Sequence, residues 1–468
     1  MKLILMSGGA GTRLWPLSNN SRSKQFLKLL TNKNGQLESM LQRICNQLEV
    51  AGLANSTVIM TNKSHVDMFN NQIGNKFPLI IEPERRDTFP AISLATAYLH
   101  SVNSIDPDEV VVVVPTDIYV EDSFFKKIKE LKDVILNTGD NLALIGVTPT
   151  IPSEQYGYII PDLQKHEGRY LKVNSFQEKP TKVIAKKLIT QQAFWNSGVF
   201  AFKLGFLLNL LKERNLPTAY NQLLNSYDLL AKNSFDYEIV ENTKNIAMLP
   251  YNGYWRDLGT WESLTEQLES SCIGTKIISS NCKTTHVINE LGIPITVMGL
   301  SNTIVAVSPD GILVAEKSSN SKIKDVIKDF YCRPMFEERR WGTYKVLDYV
   351  KLADGSHNLT KRINIMAGKN LSYQLHRKRS EIWTIISGKG IFALNDILFP
   401  VKSGDVLKIP LGYKHGIKAL TDMEIIEVQI GTDLVEEDIV RIFMNWEDIE
   451  QHCIKQVVLL QTSVLNSQ

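Results

Sequence analysis

Residues 110–114 are five valines in succession, closed by Pro115. Side chains along a strand point alternately to opposite faces, so an unbroken apolar run must be covered on both. "KLILMS" near the start, "TVIMT" (57–61), "LIIE" (79–82) and "LALIGV" (142–147) have the same character. Between them lie helical patterns, "QLESMLQRICNQLEV" (36–50) and "AISLATAYLHSV" (91–102). Buried strands alternating with helices up to about residue 265 predict an α/β domain with a mostly parallel sheet. Ligands on such sheets bind beyond the carboxyl ends of the strands.

The texture changes near residue 270. Short strands, "TTHVI", "IPITVMG", "TIVAVS" and "ILVAE", are broken by turns such as "SPDG" (308–311), which reads as a small β connector. The polar stretch 316–330 is expected to hold a helix. From about 335, "KRINIMA", "EIWTIIS", "GIFALN", "DVLKIP" and "MEIIEVQIG" are strands at short spacing with glycine turns, the pattern of a small barrel or jelly roll. "EEDIVRIFMNWEDIEQHCI" near the end reads as helix. The predicted segments are 1–265, 266–333 and 334–468.

Composition narrows the partners. Fifty-two basic and 50 acidic side chains leave a net charge of +2, which gives no reason to expect nucleic acid or an anionic membrane. No apolar run approaches the ~20 residues of a membrane span, and "MKLILMSGG" is too brief for a signal-peptide core. Five scattered cysteines without a CxxC argue against a disulfide framework or a zinc–thiolate site, and fit a reducing cytoplasm.

The first buried strand runs into "LMSGGAGTRLWPLS". Glycines at 8, 9 and 11 let backbone N–H groups approach a ligand closely. After a strand, such a loop points donors at an anion, usually phosphate. No GK[ST] follows and the third glycine of the dinucleotide fingerprint is missing, so neither common phosphate motif applies. Arg13 is a permanent forked donor suited to phosphate oxygens, and Lys24 in "SKQFL" is a second cation.

Together "GGAGTRLWPLS…KQFL" resembles the signature of sugar-phosphate nucleotidyltransferases, and more narrowly of bacterial mannose-1-phosphate guanylyltransferases. The resemblance implies a Rossmann-like, GT-A-like fold. It also implies that Gly8, Gly9, Gly11, Thr12, Arg13 and Lys24 hold the nucleoside triphosphate. Ser23 stands where the family has proline. "EPERRDTFPAI" (82–92) resembles the segment lining base and ribose and would contribute Glu82, Pro83, Arg86, Thr88 and Pro90. Asp87 and Phe89 replace the family's Asn and Ala. Asp117 in "VVPTD", followed by Ile118 in place of the usual His, and Asp257 in "YWRDLGTW" match the carboxylates that hold Mg²⁺ against triphosphate oxygens. The sugar segments supply Glu154, Tyr156, Gly157 and Tyr158, then Glu178 and Lys179, then Asn196 and Gly198, then Ser234, Asp236 and Glu241. A carboxylate can accept two vicinal hydroxyls, and a lysine can meet the sugar phosphate.

"YQLHRKRSEIW" (373–383) points to a second chemistry. Gln374 and His376 share one face of a strand, Glu381 begins the next, and His415 follows in "IPLGYKH", an N/O set suited to Zn²⁺ or a similar ion. The pattern resembles the cupin domain of type II phosphomannose isomerases, often fused to the guanylyltransferase, and "ERRWGTYKVLD" (338–348) resembles the motif that opens it. Here Gly416 follows His415 where the family often has Arg, and the family's usual tail after "DIVR" is replaced by "IFMNWED". In that family Arg379 would stabilise charge or handle a proton.

The implied reactions are transfer of GMP from GTP to mannose 1-phosphate, and interconversion of fructose 6-phosphate and mannose 6-phosphate. They imply a cytoplasmic homo-oligomer, a dimer, serving polysaccharide or lipopolysaccharide sugar synthesis. Three alternatives stay open: a sugar-1-phosphate nucleotidyltransferase using UTP, dTTP or ATP, an inactive sugar-nucleotide-binding regulator, and a transferase whose cupin is only structural.

Overall fold

The valine run becomes the strand Val110–Pro115, whose five valines are at most 1% exposed in the computed structural model. Each contributes roughly 1.5 kcal/mol or more by leaving water. Residues 1–9, 12–167, 169–279, 281–327 and 333–455 are described. The chain divides into two units, Met1–Tyr331 and Cys332–Gln468.

The first unit is built on a nine-stranded sheet. Its order is Leu79–Glu82, Thr57–Asn62, Lys2–Met6, Val110–Pro115, Phe194–Lys203, Leu142–Val147, Ile246–Tyr251, Tyr170–Gln177 and Tyr158–Glu167. The first four strands are parallel. Phe194–Lys203 then enters antiparallel to both neighbours, and Tyr158–Glu167 with Tyr170–Gln177 forms an antiparallel pair. The sheet is therefore mixed, not mostly parallel. An apolar run records that both faces are covered, not the direction of the neighbouring strand. The valines alternate between two cores: Leu3, Leu5, Val112 and Val114 on one face, Ile4, Val111 and Val113 on the other. Helix Met40–Val50 starts at Ser39, where a capping box with Gln42 satisfies two backbone donors. Helix Thr88–Ser101 is buried on nearly every side, as its apolar composition requires.

The connector is a stack of short strands. Cys272–Ile273, His286–Asn289 and Thr303–Ser308 are parallel neighbours, and Gly311–Glu316 returns antiparallel. Its Ile288, Ile304 and Ala306 share one core with Leu14, Leu17, Leu27 and Trp261. Within 316–330 the described helical turns are Lys317–Lys322 and Ile323–Val326.

The second unit is a jelly roll of two six-stranded sheets. Inward positions of one sheet (Tyr344, Val346, Ile363, Ile365, Trp383, Ile425) form its core. Within 436–454 the chain is helical at Trp446–His452, because Val440–Phe443 pairs with Tyr373–Leu375 as an edge strand. Among the described residues no helix is long and apolar enough to cross a membrane.

Candidate active sites

Strand ends of the first unit bring Lys24, Asp117 and Asp257 together. Lys24 Nζ lies 2.6 Å from Asp117 Oδ2 and 3.5 Å from Asp257 Oδ1. Asp117 follows the valine strand, and Asp257 ends Trp255–Asp257, which pairs with Ile118–Val120. Burial would lower the Lys24 pKa, but the charges of Asp117 and Asp257 outweigh it and raise it. Burial likewise opposes ionisation of Asp117, yet Lys24 holds its pKa below the usual carboxylate value. Arg13 is exposed and close enough for its charge to act on all three. Asp257 Oδ1 is buried with no hydrogen bond beyond its 3.5 Å ion pair with Lys24, which leaves it room to accept a further cation.

Beside this triad opens a cavity of about 190 Å³. Asp117, Tyr156, Gly157, Glu178, Asn196, Asp236 and Asp257 line it. Asn196 donates to Asp236 at 2.7 Å. Burial, then the nearby Glu178 charge, raises the Asp236 pKa to about 7. A Cβ on Gly157 would lie 2.4 Å from Glu178 Oε2, so only glycine leaves that carboxylate in place.

Other anticipated residues take supporting positions. Glu154 accepts from the Lys182 N–H at 2.8 Å, at the start of helix Lys182–Thr190. Lys179 pairs with Glu178. Ser234 accepts from the Tyr237 N–H at 3.3 Å. Arg86 donates to the carbonyls of Asp228 and Leu230 at 2.9 and 3.1 Å. Thr88 accepts from the Phe235 N–H at 2.8 Å. Pro83 is exposed. Glu82 is buried below Gly8, where a Cβ would come 3.2 Å from its Oε1. Burial raises the Glu82 pKa to about 7, against the Tyr227 hydroxyl that donates to it at 3.0 Å. Gly9 faces open space, Thr12 begins a short turn, and Gly11 lies outside the described residues.

Sequence reasoning passed over several residues here. A Cβ on Gly259 would sit 3.1 Å from both Asp257 oxygens and 3.3 Å from Lys24 Nζ. Its signal was its place two residues after Asp257. Trp255 packs edge-on to Tyr156, with centroids 5.2 Å apart. Ser23 bonds the buried His65 at 2.7 Å, a link that proline cannot make. Burial, with Arg85 adding, lowers the His65 pKa to about 4, so the ring is neutral. A larger cavity, about 650 Å³, opens at the amino ends of the parallel strands. There Lys203 pairs with Asp108, and Asp140 with Lys172.

In the second unit, one ligand atom each from His376, Glu381 and His415 lies within 4.8 Å of the others, all buried. His376 Nε2 is 3.1 Å from Glu381 Oε1, and His415 Nε2 is 3.4 Å from Glu381 Oε2. The opposite ring nitrogens face backbone carbonyls: Nδ1 of His376 meets Asp438 O, and Nδ1 of His415 meets Tyr413 O at 3.0 Å. Those bonds place the protons on Nδ1 and aim the Nε2 lone pairs inward, as a metal site requires. His415 Nε2 is buried and unsatisfied. Gln374 stands at the edge, its Nε2 3.5 Å from His376 Nε2. Arg379 donates from Nε to Glu381 at 2.9 Å and from Nη1 to Val435 O. Beyond the expected set, Glu427 and Gln429 continue the polar lining. Trp383 Nε1 lies 3.1 Å from both Glu381 and Glu427, and Gln429 donates to Glu427 at 2.9 Å.

Comparison with known proteins agrees with both units. Residues 2–272 match the family model described as nucleotidyl transferase, and 333–444 the one described as mannose-6-phosphate isomerase C-terminal. A mannose-1-phosphate guanylyltransferase of Salmonella muenchen is 29% identical over 94% of this chain and 97% of its own. The xanthan biosynthesis protein XanB of Xanthomonas campestris pv. campestris is 30% identical over 94% of this chain and 97% of its own. A solved structure from Thermus thermophilus, described as a mannose-1-phosphate geranyltransferase, is 26% identical with a TM-score of 0.60, covering 70% of this chain and 98% of its own. The chain belongs to the nucleotidyl transferase family, in the branch of mannose-1-phosphate guanylyltransferases that carry a mannose-6-phosphate isomerase C-terminal domain.

Proposed function

We propose that the first unit transfers GMP from GTP to α-D-mannose 1-phosphate, releasing pyrophosphate and GDP-mannose for polysaccharide or lipopolysaccharide synthesis. The observation that carries this is Lys24 held between Asp117 and Asp257 at the mouth of a cavity walled by Glu178, Asn196 and Asp236. Gly8, Gly9 and Thr12 present backbone N–H groups to the triphosphate. Glu82, Pro83, Arg86 and Thr88 shape the base and ribose side. Arg13 and Lys24 neutralise charge that builds on the α-phosphoryl group as the sugar phosphate oxygen attacks in line. Glu178 and Asp236 accept sugar hydroxyls, Tyr156 and Gly157 bound the ring, and Lys179 meets the sugar phosphate, with Glu154 and Ser234 shaping the loops around it. Asp117 and Asp257 would hold Mg²⁺, which when bound offsets phosphate charge. No covalent enzyme intermediate is needed.

The second unit is proposed to interconvert mannose 6-phosphate and fructose 6-phosphate. Gln374, His376, Glu381 and His415 would hold Zn²⁺ or a similar ion, which polarises substrate oxygens, and Arg379 stabilises the developing charge. The reading includes the three segments 1–265, 266–333 and 334–468, a cytoplasmic location and a homodimer. The test is pyrophosphate release with mannose 1-phosphate and Mg²⁺, comparing GTP, ATP, UTP and dTTP, with fructose 6-phosphate offered separately. Release with GTP alone supports the reading. Release with another nucleotide shifts it to a sister specificity, with Asp87 and Phe89 the first residues to examine.

A further inference from the structure

We infer that the β connector is a positioning element of the transferase site, and that Glu290, Ser308 and Asp310 hold the loop carrying Arg13 and Lys24. This rests on the reading that those two cations face the triphosphate. Between Leu14 and Ser23 the loop has no regular secondary structure. It nevertheless has to keep two like charges close together, where Arg13 lowers the Lys24 pKa that the carboxylates raise. Something outside the loop must fix its path.

The connector supplies that fixation at five points. Arg22 makes a two-armed pair with Glu290, Nη1 to Oε2 at 2.8 Å and Nη2 to Oε1 at 3.0 Å. Asn19 Nδ2 donates to Asp310 Oδ2 at 3.0 Å, while its Oδ1 accepts from the N–H groups of Ser21 and Arg22 and so shapes the turn. The buried Ser308 hydroxyl donates to the Pro16 carbonyl at 2.8 Å. Trp15 lies over Gly311, where a Cβ would come within 2.6 Å of its ring. Leu14 and Leu17, both fully buried, pack with Ile288, Ile304 and Ala306.

These contacts share an origin. Glu290 and Ser308 stand at the same end of the adjacent parallel strands His286–Asn289 and Thr303–Ser308, in which Asn289 pairs with Val307. One end of the stack thus meets the loop from residue 14 to residue 22. Arg13 lies just before the held stretch and Lys24 just after it. A bidentate arginine–carboxylate pair fixes direction as well as distance. Preorganised cations are effective only while their geometry holds.

The test uses the full-length protein with Mg–GTP and mannose 1-phosphate. Glu290→Gln and Ser308→Ala are each expected to lower kcat/KM for pyrophosphate release about 10-fold or more, since misplacement of about 1 Å can cost 10²-fold. Calorimetric affinity for Mg–GTP falls in parallel. The charge swap Arg22→Glu with Glu290→Arg restores most of the loss in kcat/KM and in Mg–GTP affinity, which ties the loss to this pair. If Glu290→Gln fails to fold, Ser308→Ala and Asp310→Asn decide on the same terms. Variants that melt earlier but keep wild-type kcat, KM and GTP affinity overturn the inference. Arg13→Ala separates the two claims. If Arg13→Ala is inactive while Glu290→Gln is normal, only the connector inference falls. If Arg13→Ala is fully active, the reading of the loop falls and takes the inference with it.

Discussion

The two polar centres balance buried charge in different ways. In the first unit Asp117 and Asp257 lie against Lys24, a cation supplied by the chain itself. In the second, Glu381 meets two imidazoles whose protons face backbone carbonyls on the far side, and His415 Nε2 has no hydrogen-bond partner. Arg379 reaches Glu381 through one oxygen only. A buried polar group left unsatisfied costs about 1–3 kcal/mol. Each centre keeps one such atom, Asp257 Oδ1 and His415 Nε2, but the first has the Lys24 ammonium 3.5 Å away whereas the second faces the Glu381 carboxylate, so the cleft is closer to self-sufficient than the jelly-roll cluster. In the cleft a metal would serve the reaction; in the jelly roll it would also serve the fold.

The largest effect that sharpens this contrast is expected from His376→Ala. It removes an inward lone pair and should exceed the roughly 10–100-fold loss of metal affinity that an outer partner costs. Isomerisation and bound metal should both vanish while pyrophosphate release stays at the wild-type rate. Equal loss of both activities would end the idea of two independent centres. Arg13→Ala is the converse experiment. Its side chain is exposed, so melting should not change, while kcat/KM for pyrophosphate release falls about 10²–10³-fold. Metal content, measured by elemental analysis, should be unaffected.

The two centres also differed in how far the sequence disclosed them. Gln374 and His376 sit two apart, so period-2 alternation put them on one face, and the structure sets His376 against Glu381 with Gln374 beside it, in register with His415. The carbonyl that orients His376 belongs to Asp438, 62 residues away, and no spacing rule reaches that far. In the first unit the strands at 110–115 and 142–147 could be bounded to the residue because both faces are buried. The reversed direction of Phe194–Lys203 could not, since burial carries no sign of polarity. Gly259 was missed because the space a Cβ would take lies against both the Asp257 carboxylate and Lys24 Nζ, and its place two residues after Asp257 does not show that the distant Lys24 segment meets it there.

Metal removal tests the contrast directly. A ligand present at 100 to 1,000 times its Kd stabilises the folded state by about 3–4 kcal/mol. Chelation followed by calorimetry should therefore lower a transition belonging to the jelly roll and leave the first unit's transition in place. A first-unit transition that shifts as much would mean that Lys24 does not balance its carboxylates.

The smallest expected effect is a pH dependence within the cleft. Asp236 is held near pKa 7 by burial and by Glu178, above the ordinary 3.8. A carboxyl whose pKa is raised on folding favours the folded state below its unfolded pKa. That contribution is lost as pH rises through the folded value. Wild-type protein should thus lose stability relative to Asp236→Asn between about pH 4 and 7. Because Asp236 borders an open cavity, the change should be only about 1–2 kcal/mol, less than the full shift would give. Melting curves of both proteins at pH 4.5, 6 and 7.5 measure it, with buffers spanning the window. Wild-type protein that instead gains stability relative to Asp236→Asn as pH rises would reverse the sign. It would mean that the Asn196 hydrogen bond to the carboxylate at 2.7 Å outweighs the burial and the neighbouring Glu178 charge. The cleft would then balance even its outlying carboxylates with its own donors, and the contrast with the jelly roll would be sharper still.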